Sequence, residues 1–231
     1  MPFNMQFSKD LTIDIRKCPH LLIVGVGDVH SKFANTIGKM INADDYLASI
    51  FEKTYNTKFV DAVWTDNDID FDDYNWVGGI VNFDTGNNYK FWNDKMDERY
   101  QIYSALGCNN IEQYNDMFKH EQERYCFVLT TLEQSPTEEN INYLRQILMR
   151  GRAVGIHVIM FVDGVEELAK YDDLLDMFAV KLLYKVKTVK ESVLLTGYKG
   201  AENLTNGEFM LSELGKQPVI YKNANIVKTA V

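Results

Sequence analysis

Three short apolar runs constrain what this chain can fold into: LLIVGVG at 21–27, HVIMFV at 157–162 and FAVKLLY at 178–184. Each has the length of a strand buried on both faces. None approaches the roughly 18–20 residues that a membrane-spanning helix requires. Longer amphipathic stretches separate them, and that alternation predicts an α/β fold with a mostly parallel sheet flanked by helices. The pattern places strands near 21–25, 58–64, 76–81, 125–130, 156–162 and 179–186, and a closing hairpin at 208–212 and 217–222. Helices are predicted near 31–54, 90–106, 110–122, 137–150 and 188–196, with a short one near 165–175.

Local chemistry punctuates these elements. Gly107 stands where a left-handed residue closes a helix. Ser135-Pro136-Thr137 followed by Glu138 and Glu139 opens the next helix, with acids at the positive end of its dipole. No linker, repeat or low-complexity block interrupts the pattern, so residues 1–231 are read as one domain. With 46% hydrophobic residues the chain has material for one sizeable core. Met1 is followed by a mixed polar stretch without the apolar centre of a signal peptide.

The segment PHLLIVGVGDVHSKF runs strand, turn, helix, which is the setting of a phosphate-binding loop. A working loop reads GxxxxGK[ST]. Its backbone N–H groups curl around phosphate, its lysine neutralises charge and its hydroxyl holds magnesium. With Gly25 first and Gly27 inside the loop, His30 falls on the second glycine, Ser31 on the lysine and Lys32 on the hydroxyl. The last two types are exchanged. One helical step turns a side chain by about 100°, so Lys32 points away from where the loop lysine points.

Further motifs carry a family resemblance. MDERYQIYSALGCNNIEQYN at 96–115 resembles a segment of FtsK/SpoIIIE-type motor domains, with Met96, Arg99, Tyr100, Gly107, Asn110, Ile111, Tyr114 and Asn115 in register. PHLLIVG at 19–25, RAVGIHVIMFVDG at 152–164 and the stretch 178–211 follow in the same order. The resemblance covers most of residues 12–222. It implies a RecA-like P-loop NTPase fold and a piece of a longer multi-domain motor.

The departures from the family pattern fall on chemistry. The resemblance puts an Asp-Glu pair at the end of the magnesium-binding strand, where this chain has Thr130 and Thr131. Glu133 and Gln134 follow two and three residues late. The polar pair after the next strand is Val162-Asp163, and a late Asp-Ser-Arg is Glu191-Ser192-Val193. Arg99 survives and is the candidate inter-domain arginine. These losses predict negligible ATP hydrolysis, no catalytic residue and no Mg-ATP cofactor, with an ATPase using an unorthodox phosphate loop as an alternative. Within the family, the pattern is most similar to the C-terminal ATPase-like domain of the type VII secretion coupling protein. That likeness implies a place at the cytoplasmic face of the membrane within a longer protein. The implied partners are neighbouring ATPase domains of the same polypeptide and small helical secreted proteins, with assembly into an oligomer.

Charge bears on the alternative of a DNA translocase. The chain has 24 Lys and Arg against 33 Asp and Glu, a net charge of −9, which disfavours a polyphosphate partner. Part of that charge is local: Asp61, Asp66, Asp68, Asp70, Asp72 and Asp73 lie on or just after one predicted strand. The DNDIDFDD run departs from a calcium loop, with Phe71 and Val77 in the positions needing Gly and Glu, and is read as a solvated acidic loop after the 58–64 strand. The four histidines have no metal spacing, so His20 and His157 are read as structural, and Ser31 has no evident base. Cys18, Cys108 and Cys126 are read as reduced packing residues. The lysines from Lys181 to Lys190 alternate as on the solvated face of an edge strand.

Overall fold

The structure is a computed structural model that describes residues 4–8, 11–14, 18, 20–25, 47–52, 81–82, 87–118, 126–131, 136–162, 164–166 and 168–222. Its strands are β1 (Asn4–Ser8), β2 (Leu11–Asp14), β3 (His20–Val24), β4 (Leu47–Glu52), β5 (Val81–Asn82), β6 (Cys126–Thr131), β7 (Ile156–Val162), β8 (Val180–Leu183), β9 (Glu208–Glu213) and β10 (Val219–Lys222). The described α-helices are α1 (Asn87–Ala105), α2 (Ile111–Met117), α3 (Glu138–Arg150), α4 (Asp172–Met177) and α5 (Val189–Thr196).

β1 and β2 form an antiparallel pair, and the other eight strands form one sheet in the order β10-β9-β8-β3-β7-β6-β4-β5. The six strands from β8 to β5 are mutually parallel, and β9 and β10 close the sheet as antiparallel strands. Every residue of β3 and β7 is buried, which accounts for runs without polar alternation. The chain leaves β3 for β4, returns through β6 and β7, and then places β8 on the other side of β3. Strand order therefore reverses at β3, and in open α/β sheets such a reversal opens a crevice at the carboxyl ends of the strands.

Most predicted elements are present with boundaries moved by a few residues. The helix predicted over 31–54 is corrected at its end: residues 47–52 form β4, which fills the slot between β5 and β6. The hairpin of β1 and β2 was not expected. The strand predicted at 58–64 and most of that at 76–81 lie outside the described residues. The edge-strand reading of Lys181 is also corrected, because β8 lies between β3 and β9. The predicted helix near 165–175 resolves into a 3-10 turn at Leu168–Lys170 followed by α4.

The family-like segment at 96–115 is a helix–turn–helix. Gly107, at φ 72°, takes the left-handed turn after α1. Asn110 caps α2, its side chain accepting the Gln113 N–H at 2.8 Å, and Tyr114 stacks on Tyr103 at 5.0 Å. α1 is clamped to α3: Tyr100 donates to the Arg150 carbonyl at 2.8 Å, and the Arg150 guanidinium sits 4.8 Å from the Tyr100 ring and 3.0 Å from Asp97.

His20 occupies the start of the central strand. Its Nδ1 accepts the Val158 N–H at 3.0 Å, which leaves the neutral ring's proton on Nε2. Burial, with smaller contributions from His157 and Arg152, pulls its pKa down to about 3. The unfolded chain, with an ordinary histidine near 6.5, therefore binds the extra proton first as pH falls. The neutral ring's contribution is complete above about pH 6.5 and is lost progressively toward pH 3, amounting to a few kcal/mol over the whole range. Thermal unfolding between pH 7 and 4 checks this. The wild-type melting temperature is expected to fall more steeply than that of His20→Leu, and parallel curves contradict the assignment.

Candidate functional site

The carboxyl ends of β3, β6 and β7 meet beside the crevice at the strand-order reversal. Val24 is level with Val162, and Ile23 and Thr131 both pair with Phe161, so Gly25 projects just past the sheet edge. Its N–H donates to the Val162 carbonyl at 3.1 Å. A Cβ added at Gly25 would lie 2.6 Å from the Tyr184 Cβ, so the first loop glycine is required by packing whether or not phosphate binds. Gly25→Ala is expected to cost about 1–3 kcal/mol by overpacking. Urea denaturation measures it, and an unchanged midpoint would show that Tyr184 simply moves aside.

Gly27, His30, Ser31 and Lys32 lie outside the described residues, as do Glu133, Gln134 and Asp163. The rest of the candidate site is described at Thr130, Thr131 and Arg99. Thr130 is fully buried, and its Oγ1 lies 3.2 Å from the hydroxyl of Tyr89, a residue of α1. A neutral hydroxyl pair thus occupies the position where the family pattern has an acid.

Arg99 turns inward. It is 1% exposed, and its Nη1 donates to the Val154 carbonyl at 2.6 Å, tying α1 to the turn after α3. The residue expected as an inter-domain arginine is thus enclosed within its own domain in this structure. Glu191 and Ser192 are likewise engaged in local structure. The Glu191 carboxylate accepts the Lys187 and Thr188 N–H groups in the capping box of α5. The Ser192 hydroxyl donates to the Tyr198 carbonyl and accepts the Ala201 N–H.

Sequence reasoning missed a second polar locus on β8 and β9, where Lys181 pairs in register with Ser212. Side chains of directly opposed residues share a face of the sheet, and both line a cavity of about 400 Å³. The basic run in the sequence marked Lys181, but only the return of β9 shows that it is not on an edge. Among the described residues no group of His, Cys, Asp or Glu could hold a metal ion, and no helix is long and apolar enough to cross a membrane.

The fold is that of P-loop ATPase domains. No protein-family model matches the chain. The chain shows FtsK-like homology at low identity: it is 23% identical to the DNA translocase FtsK of Campylobacter jejuni, over 96% of this chain and 25% of that protein. Among solved structures, EssC (ATPases 2 and 3) from Geobacillus thermodenitrificans superposes with a TM-score of 0.71 at 14% identity, covering 97% of this chain and 44% of that one. The conjugation coupling protein TcpA of pCW3, in its monomer form with ATPγS, gives 0.68 at 19% identity over 95% of this chain and 64% of that one. Thermomonospora curvata EccC (ATPases 2 and 3), in complex with a signal sequence peptide, gives 0.62 at 13% identity over 98% of this chain and 40% of that one. The chain thus spans about a quarter of the FtsK it matches and less than two thirds of each of these structures.

Proposed function

We propose that this chain is an ATPase-like domain that does not turn over ATP and instead recognises protein substrates, or regulates active ATPase domains beside it, in a type VII secretion motor. The observation that carries this reading is the buried Thr130–Tyr89 hydroxyl pair at the position of the magnesium-binding acid. Positioning of magnesium and of the attacking water is most of what catalyses phosphoryl transfer, and a threonine hydroxyl supplies neither negative charge nor a metal bridge. The exchange of Ser31 and Lys32 in the loop removes the lysine from its place as well. Likeness to EssC and EccC supports the secretion setting, and the peptide bound to EccC supports a recognition role. In this reading residues 1–231 are one domain of a longer protein held at the cytoplasmic face of the membrane, and its partners are small helical secreted proteins and adjoining ATPase domains.

A turnover assay of the purified chain with Mg-ATP, beside the Lys32→Ala variant, tests the first half. Both are expected to stay at background, and a wild-type rate that disappears on substitution overturns it. Calorimetric titration with the small helical protein secreted by the same system tests the second half. Heat of binding that is unchanged by nucleotide is the expected outcome, and no binding contradicts recognition.

The FtsK relative favours a second reading, a subunit of a DNA translocase. It requires binding to duplex DNA that weakens steeply with salt. The net charge of −9 weighs against it, and anisotropy titrations between 50 and 200 mM salt separate the two.

A further inference from the structure

The helix α5 is apolar on the face that it turns to solvent. Successive helical residues are about 100° apart, which puts Val189, Val193, Lys190 and Leu194 within one arc of about 140°. All four are exposed, the apolar three at 49%, 45% and 42%. Glu191, Ser192 and Leu195 take the inward arc. A helix at the surface of a domain normally turns polar residues outward, so this arc reverses the expected pattern. Tyr198, also exposed, extends it past Gly197.

The exposed charge on this surface has one sign. Lys185, Lys187, Lys190 and Lys199 are exposed, while the one acid between 185 and 200, Glu191, is buried in the capping box. The ammonium groups of Lys185, Lys187 and Lys190 have no ion-pair partner among the described residues. They form a local positive strip on a chain of net charge −9. Acids at the far end of the helix are already engaged. Asp176 and Glu213 line the cavity that Leu194 and Tyr198 border, where Asp176 acts on Lys181 and Glu213 pairs with Lys216 at 2.9 Å. Glu202, near Lys199, accepts the Gly200 N–H and the Asn203 amide. Exposed charges more than about 10 Å away are largely screened at physiological salt, so the local sign governs what docks here.

Composition selects the occupant. Protein–protein interfaces are depleted in lysine and concentrate their binding energy on Trp, Tyr and Arg, and no arginine stands on this strip. A nucleic acid would meet the lysines but gain nothing from Val189, Val193 and Leu194. A bilayer surface uses both groups. Lysine ammoniums reach the lipid phosphates while their stems and the neighbouring apolar side chains sink toward the acyl boundary, and a tyrosine ring suits the same depth.

We propose that the outer face of α5, with Lys187 and Lys190 beside Val189, Val193 and Leu194, is a contact site for an anionic lipid surface. The contact is reversible, because one short helix buries little apolar area and a few lysines supply the rest. It is separate from ATP turnover and from substrate recognition, so its failure leaves the reading above untouched.

Co-sedimentation of the full chain with lipid vesicles tests the site. Phosphatidylcholine vesicles containing about 30% phosphatidylglycerol are expected to bind the chain at least about 10-fold more tightly than phosphatidylcholine alone, with binding that weakens as salt rises. Lys187→Ala with Lys190→Ala is expected to weaken binding about 30-fold, at roughly 5-fold for each lysine. Replacing both by arginine is expected to preserve it. Val189→Ser with Val193→Ser is expected to weaken binding about 10-fold, and Lys222→Ala, on the edge strand, to leave it unchanged. These positions are exposed, and unchanged melting curves confirm that the variants fold. Short duplex DNA presents phosphates without an acyl boundary, and is expected to bind more weakly and to ignore the valine pair. No binding to the anionic vesicles, equal binding to neutral ones, or binding that survives either double substitution overturns the proposal. DNA bound as tightly as the vesicles would make the strip a nucleic-acid surface and overturn it as well. A secreted helical protein whose binding the same substitutions abolish, without vesicle binding, would overturn it in favour of a protein partner.

Discussion

Replacing Arg99 with Leu is expected to destabilise the chain by about 3–5 kcal/mol, enough to unfold a domain of ordinary stability near physiological temperature. The guanidinium is sealed in the interior, and its hydrogen bond to the Val154 carbonyl crosses 55 positions of sequence to join α1 to the turn that feeds β7. Leucine cannot donate, so a carbonyl beside buried Val154 loses its charged partner, and the smaller side chain leaves a void. The neighbouring clamp provides the contrast. Arg150 and Asp97 are both partly exposed, so Arg150→Ala is expected to cost only about 1 kcal/mol. Urea denaturation of the two variants decides it. Comparable small losses would mean that Arg99 is not structural and would reopen the inter-domain role expected from sequence.

A second large effect is expected from Thr130→Asp, which puts back the residue type of a magnesium-binding strand. Here the new carboxylate would be fully buried against the Tyr89 hydroxyl. An ion without a paired cation in such a place raises its own pKa and costs about 3 kcal/mol or more at neutral pH. The loss is expected to shrink as pH falls from about 6 toward about 4, between the raised pKa of the buried acid and that of an ordinary aspartate. Thr130→Val, which removes only the hydroxyl, is expected to cost about 1 kcal/mol with no such pH dependence. Thermal unfolding of both variants across pH 4–8 checks the pair. An aspartate that is tolerated at neutral pH, or that confers ATP turnover, would show that the strand end still opens onto a magnesium site.

Much of the fold is legible in the residues because the central strands advertise themselves. The runs containing Leu22 and Ile159 have no polar alternation, and strands buried on both faces need none. Asn110, Thr137, Gly107 and Thr188 mark helix ends by chemistry that acts within three or four residues. LASIFE at residues 47–52 is different: a short apolar run fits a helix or a strand equally well, and only the empty slot between β5 and β6 decides it.

The site divides along the same line. Loss of the acids at Thr130 and Thr131 is visible in one dimension, because it needs only the identity of residues on a recognised strand. What replaces the acid is not visible, since Tyr89 lies 41 positions away. Arg99 is a related case. A charged residue inside a family motif reads as a contact with a partner, while the carbonyl it serves is brought near only by packing of α1 against α3. Lys181 looked like edge protection until β9 and β10 extended the sheet beyond it.

The central claim is that this P-loop fold has given up its nucleotide. Isothermal titration of the chain with Mg-ATP tests it most directly, because a ligand that binds the native state must do so with a measurable affinity and a matching rise in stability. The account predicts no saturable heat at millimolar nucleotide and no shift in melting temperature. Saturable one-to-one binding that raises the melting temperature and is abolished by Lys32→Ala would contradict it.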